Sequence, residues 1–123
     1  MWQGAGKGYQ DVLMVTLRTG VGGGCVLDGK IVSGIHGAGG EIGHMPVKDD
    51  EPIACNCDNH GCLEQYVSAT GIVTQAKKTL EQDTRNSNLR NYASLEAKNI
   101  YDEVKNGDEI ANEVVNLTEY SAI

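Results

Sequence analysis

A chain of 123 residues has room for one small domain. Acids outnumber bases 17 to 10, for a formal charge of −7, which argues against a nucleic-acid surface because phosphate binding needs clustered Lys and Arg. No signal-peptide pattern and no long apolar run is present, so membrane insertion is not expected either.

The first half reads as strands and loops. Val12-Leu13-Met14-Val15-Thr16-Leu17 is a short β-branched, apolar run and predicts a buried strand. Thr19-Gly20-Val21-Gly22-Gly23-Gly24 follows as a backbone-rich turn. Cys25-Val26-Leu27 and Lys30-Ile31-Val32 flank Asp28-Gly29, a hairpin signal, because type I′ turns need positive φ at both central residues. Cys25 is read as a small buried hydrophobe. Gly37-Ala38-Gly39-Gly40 forms a second glycine-rich loop.

Helix signals begin after the cysteines, with a short start at 63–66 and a longer stretch at 70–80. Residues 86–91 are polar and read as loop. A helix over 95–105 ends at Asn106-Gly107, a C-cap pair. Asp108 caps a last helix whose Ile110, Val114 and Leu117 keep helical spacing. Strands first and helices afterwards make a lopsided α/β arrangement: the strand hairpin leaves open sheet edges and faces.

Three cysteines, Cys55, Cys57 and Cys62, stand close together, with His44 upstream in Gly-Gly-Glu-Ile-Gly-His. Three thiolates and one imidazole complete a tetrahedral shell for structural zinc. Two of the thiols lie one residue apart, so a single tight turn aims both at a metal. His60, inside the cysteine loop, competes for the fourth position. His44 is preferred because His60 must clear a turn already holding Cys57 and Cys62. His36 has no evident partner and reads as a loop residue. Clustered thiols beside a histidine suggest metal rather than disulfides, and so a reducing, cytoplasmic setting.

Glu41 and Glu64 lie just before and just after the metal ligands. Two carboxylates and an imidazole on a wall fixed by metal suit a polyol, because each acid accepts hydrogen bonds from hydroxyls. Both acids adjoin the metal ligands, so they are expected to act on a sugar and not on a nucleotide. The 19–24 turn has the composition of a phosphate cradle, with glycine N–H groups and the Thr19 hydroxyl as donors. It is neither a Walker A loop nor a Rossmann fingerprint.

Taken in order, Thr19-Gly-Val-Gly-Gly-Gly24, Gly-Ala-Gly-Gly-Glu-Ile-Gly-His44 and Cys-x-Cys-x-x-x-Gly-Cys-Leu-Glu64 resemble the ROK family, closest to its bacterial glucokinase branch. The resemblance runs from Met1 to about Lys78, and more loosely through the last two helices. It implies a partial actin-like, ribonuclease-H-like sugar kinase fold with ATP between two lobes. This chain would be a segment of the C-terminal lobe, with strands and zinc loop over 11–62 and a helical part over 63–123. By the resemblance Thr19, Gly20 and Gly22 belong to a phosphate-binding turn. Glu41, His44 and Glu64 bond sugar hydroxyls, and His44, Cys55, Cys57 and Cys62 hold zinc. His44 does both through its two ring nitrogens.

Some family features are changed or missing. Arg18 replaces a usual Gly, and would either clash with phosphates or add a cation to them. Asp58 replaces a Gly after the second cysteine, a position where Asp tolerates left-handed backbone. The early Asp-Gly-Gly-Thr-like motif and the catalytic Asp of an Asn-Asp-x-Asn segment are not in this sequence. The opening Met1-Trp2-Gln3-Gly4-Ala5-Gly6 resembles the stretch that follows that Asp. The expectation is an internal piece of an ATP-dependent glucokinase-like hexokinase acting on the sugar 6-hydroxyl, homodimeric when intact and inactive as this piece. A sugar-responsive ROK transcriptional repressor is the alternative; a self-standing zinc module without sugar binding is a third.

Overall fold

The computed structural model describes residues 4–121, with side chains over 4–119. Met1, Trp2 and Gln3, on which part of the resemblance rests, lie outside the described residues, as does the end of the 63–123 part. Strands β1 (Val12–Leu17), β2 (Val21–Leu27) and β3 (Lys30–Ile31) form an antiparallel meander in the order β1-β2-β3. The register sets Val12 opposite Val26 and Leu17 opposite Val21. Asp28 and Gly29 take φ of 49° and 72°, the backbone that a type I′ turn demands. The Asp28 N–H donates to Asp11 Oδ1 at 2.8 Å, which ties the turn to the start of β1.

The sheet corrects three expectations. β1 is a strand but not a buried one: Leu13, Met14 and Leu17 are 66 %, 60 % and 59 % exposed, since no layer among the described residues covers it. Gly22, Gly23 and Gly24 belong to β2, not to a turn, so the connection shrinks to Arg18, Thr19 and Gly20. Cys25 is only half-buried. Gly23 of β2 and Gly43 opposite it serve close approach. A Cβ on Gly23 would run into the Gly40 carbonyl, and one on Gly43 would overlap the Val21 carbonyl. The 40–43 segment therefore lies flat on β2.

The second half packs four helices: α1 (Glu64–Val67), α2 (Ala69–Gln82), α3 (Ala97–Lys105) and α4 (Glu109–Ser121). Ser68 breaks α1 from α2 with extended backbone, and its hydroxyl accepts the Gly71 N–H at 2.9 Å as an N-cap. Ile72 and Ala76 of α2, Ile100 of α3, and Ile110, Ala111, Val114 and Val115 of α4 form the core. Helical spacing puts each set on one face, and each buried large aliphatic contributes about 1.5–3 kcal/mol.

The 86–91 segment is more ordered than its polarity suggests. Ser87 caps a 3-10 turn, Asn88–Asn91, that drives Leu89 into the core at 2 % exposure. Asp108 explains why: its carboxylate accepts from Asn88 N at 2.7 Å, from the Ser87 hydroxyl at 2.8 Å and from Ala111 N at 3.0 Å. One side chain thus caps α4 and pins the preceding turn. Leu117 is 51 % exposed, so the apolar stripe of α4 narrows after Val115. Asn106 and Gly107 end α3 as the sequence suggests, with Gly107 at φ 83°.

Candidate functional site

The zinc-type ligands converge. One donor atom each from His44, Cys55, Cys57 and Cys62 lies within 4.8 Å of the others. Cys55 Sγ is 3.8 Å from His44 Nδ1, and Cys57 Sγ is 3.5 Å from Cys62 Sγ. A donor set of three thiols and an imidazole nitrogen, half-buried to buried, fits a structural zinc ion. His60 is turned away, with Nδ1 2.7 Å from the Glu51 carbonyl.

The local backbone builds this cluster. The Asp58 N–H donates to the Cys55 carbonyl at 3.0 Å, and the Cys55 N–H to Asn59 O at 2.7 Å. That turn needs left-handed backbone at residue 58, and Asp58 supplies φ 66°. Gly61, at φ 72°, passes so close to Lys48 O that a Cβ would overlap it. Bridges at Pro46–Cys62 and Ala54–His60 close the 45–62 loop.

The thiols differ. The Asn59 backbone N–H, with the neighbouring sulfurs, holds Cys57 below the usual thiol range despite burial. Burial first, then the hydrogen bonds from Cys57 and Cys55, pushes Cys62 up to about 12. A metal bound here would have to displace the Cys62 proton.

The proposed sugar residues surround the start of β2. A 3-10 turn, Ile42–His44, carries His44 with its Nε2 3.8 Å from Glu41 Oε2. The two ring nitrogens thus face different groups: Nδ1 the sulfurs, Nε2 the acid. Gly43 of that turn rests on Val21, whose N–H donates to Glu64 Oε2 at 2.9 Å. Val21 therefore lies between the Glu41–His44 side and the Glu64 side. This corrects the expectation that Glu64 adjoins the Cys/His cluster alone: it is also bonded to the first residue of β2, directly after the Arg18–Gly20 connection. Gly20 makes room for it, since a Cβ there would sit 2.5 Å from Glu64 Oε2.

Thr19 and Gly20 open onto a groove of about 410 Å³ that continues along Ser68, Gly71, Thr74, Gln75 and Lys78 of α2 and its cap. The Ala69 N–H donates to Arg18 O at 2.7 Å, so the turn is stitched to the start of α2. Gly22, expected in the turn, sits in β2 opposite Thr16 and does not line the groove.

Sequence reasoning missed Glu51 and Gln65. Glu51 is 5 % exposed, accepts the Tyr66 hydroxyl at 2.5 Å and lies 3.7 Å from Lys78 Nζ. Burial works to raise its carboxyl, but Tyr66, Ile53 N–H and the two lysines Lys78 and Lys48 hold it below the usual range. Gln65 donates to Ile53 O at 2.8 Å and accepts from Cys62 N at 3.0 Å. Together they clamp α1, and with it Glu64, to the 45–62 loop. A polar run such as Asp49-Asp50-Glu51 carries no periodic signal that one of its acids is buried.

The chain matches the ROK family over residues 1–122. It is 39 % identical to a glucokinase of Halalkalibacterium halodurans across 98 % of this chain and 37 % of that one. A ROK family glucokinase from Streptomyces griseus, solved in complex with glucose and AMPPNP, superposes with a TM-score of 0.74 at 33 % identity, covering 90 % of this chain and 37 % of that one. A ROK family transcriptional regulator, homolog of the E. coli MLC protein, superposes with a TM-score of 0.76 at 27 % identity, covering 93 % and 28 %. This chain belongs to the ROK family, and its fold is part of the actin-like, ribonuclease-H-like sugar kinase fold. It spans about a third of the length of the curated relatives it matches. No helix among the described residues is long and apolar enough to cross a membrane.

Proposed function

We propose that this chain is the zinc-bearing, sugar-contacting segment, from the C-terminal lobe, of a ROK glucokinase that transfers the γ-phosphoryl group of Mg-ATP to the 6-hydroxyl of glucose. His44 carries the proposal: Nδ1 lies 3.8 Å from Cys55 Sγ while Nε2 lies 3.8 Å from Glu41 Oε2. A ring fixed on one edge by the metal loop presents its other edge, with an acid beside it, to solvent. Zinc held by His44, Cys55, Cys57 and Cys62 would supply rigidity and no redox or Lewis-acid step.

Glu41, His44 and Glu64 would bond sugar hydroxyls and fix the ring's orientation. Thr19, Gly20 and the first turn of α2 would hold nucleotide phosphates, because a helix N-terminus offers free N–H groups and a favourable dipole. Gly22 would act only indirectly, by its place in β2. The general base is not assigned to any residue of this chain. Four free thiols fit a reducing, cytoplasmic setting.

The test is a glucose titration of the full-length protein and its Glu64→Gln variant. Losing one charge-assisted bond costs about 1.5–3 kcal/mol, so glucose should bind about ten- to a hundredfold more weakly. Equal glucose affinity in the two proteins would remove Glu64 from the site. A sugar-responsive repressor is the second possibility, favoured by the superposition on the ROK regulator. Binding of AMPPNP supports the kinase; operator DNA binding without nucleotide binding supports the repressor.

A further inference from the structure

Glu64 is the only proposed sugar residue that touches the phosphate-type turn. Its Oε2 accepts the Val21 N–H at 2.9 Å, and its carboxylate has no other hydrogen-bond partner among the described residues. That leaves Oε1 open. Gly20, which lines the groove, lies directly against the same carboxylate. The helix that carries Glu64 is clamped by Gln65 and Tyr66 to the metal loop, so the carboxylate cannot move off by a shift of α1 without breaking those bonds.

From this arrangement we infer that Glu64 couples the two ligand sites, so that a bound sugar tightens nucleotide binding through the charge of the Glu64 carboxylate, which Val21 holds beside the turn. The inference rests on the sugar-site proposal and goes beyond it. With no sugar, a full negative charge stands beside the turn and repels a polyphosphate. A sugar hydroxyl donating to Oε1 takes up part of that charge and holds the carboxylate in place against Val21. The nucleotide then meets a less repulsive, better fixed turn. Linkage makes the effect reciprocal: nucleotide must tighten sugar binding by the same factor.

The test is a set of four calorimetric affinities on the full-length protein: AMPPNP without and with saturating glucose, and glucose without and with saturating AMPPNP. Coupling of about fivefold or more, equal in both directions, is expected, in the range usual for linked sites. In Glu64→Gln the amide oxygen can still accept from Val21, but the charge is gone. AMPPNP should then bind without glucose nearly as well as with it, and the ratio should fall to within about twofold of one. Gly20→Ala keeps the charge but pushes the carboxylate off Val21, because the new methyl would lie 2.5 Å from Oε2. It too should lose the coupling. Zinc content equal to the parent's certifies that each variant is folded around the metal loop. Glucose binding with a coupling ratio of one in the parent, or an undiminished ratio in Glu64→Gln, overturns the inference alone. No glucose binding in the parent removes the sugar site and the coupling together.

Discussion

Tyr66→Phe isolates a single bond in the clamp beneath the site. The Tyr66 hydroxyl donates to Glu51 Oε2 at 2.5 Å, and both residues are buried, at 3 % and 5 % exposure. Phenylalanine keeps the ring, its packing and the approach of Lys48, whose Nζ lies 5.6 Å from the ring centroid. Only the hydroxyl leaves. The carboxylate retains the Ile53 N–H at 3.3 Å and Lys78 at 3.7 Å, so it is weakened but not orphaned. A hydrogen bond to a charged group is worth about 1.5–3 kcal/mol. With a urea m-value of about 2 kcal/mol/M, a loss of about 2 kcal/mol moves the midpoint down by about 1 M. Urea melts at one fixed free zinc concentration would measure it, because metal that binds only the folded state adds its own stability. Glu51→Gln, and the double variant, complete a cycle whose interaction energy should exceed about 0.5 kcal/mol. A Tyr66→Phe midpoint within experimental error of the parent would refute the clamp.

Purified under reducing conditions without chelator, the chain should carry one zinc, and Cys57→Ser should lose it together with the order of the 45–62 loop; metal analysis that finds none in the parent would end the metal assignment. Helix content should fall on acidification. Asp108, whose burial works to raise its carboxyl, is held below the usual range by the Ala111 N–H, the Ser87 hydroxyl and the Asn88 N–H, and Glu103 is held low by Asn88, Tyr92 and Asn106. Carboxyls lowered by folding stabilise above their unfolded values and lose that contribution as pH falls through the folded ones. Circular dichroism at 222 nm, with and without chelator, should therefore show helix stability dropping below about pH 4, and an acid-insensitive profile would contradict it. A coupled assay of the 123-residue chain with glucose and Mg-ATP should stay at background, since general acid–base help worth about 10²–10⁴ in rate is assigned to no residue of this chain. Robust phosphorylation would show that a base had been overlooked.

The convergence of His44, Cys55, Cys57 and Cys62 was legible because coordination chemistry restricts both residue type and spacing. The hairpin at Asp28-Gly29 and the caps at Asp108 and Asn106-Gly107 were legible because each is a local backbone demand met by a particular side chain. Burial was not. Val12–Leu17 has the composition of a core strand, yet every residue after Val12 is exposed, on both faces of the strand, because composition reports what a strand could pack against and not what lies beside it. Leu89 was hidden for the opposite reason: its polar neighbours mask one apolar residue that Asp108 and Ser87 steer inward. The Glu64–Val21 bond joins residues 43 positions apart, and no periodicity or motif reports a contact between a carboxylate and a distant main-chain N–H.

That contact has a consequence for variation at position 21. The group Glu64 needs there is an amide hydrogen, which every residue but proline carries. The Val21 side chain answers only to the space around it, where it is 6 % exposed. Isoleucine, threonine or alanine could stand in its place and leave the hydrogen bond standing. Two proteins could therefore share this link without sharing the letter, and a proline at that position would mark its loss.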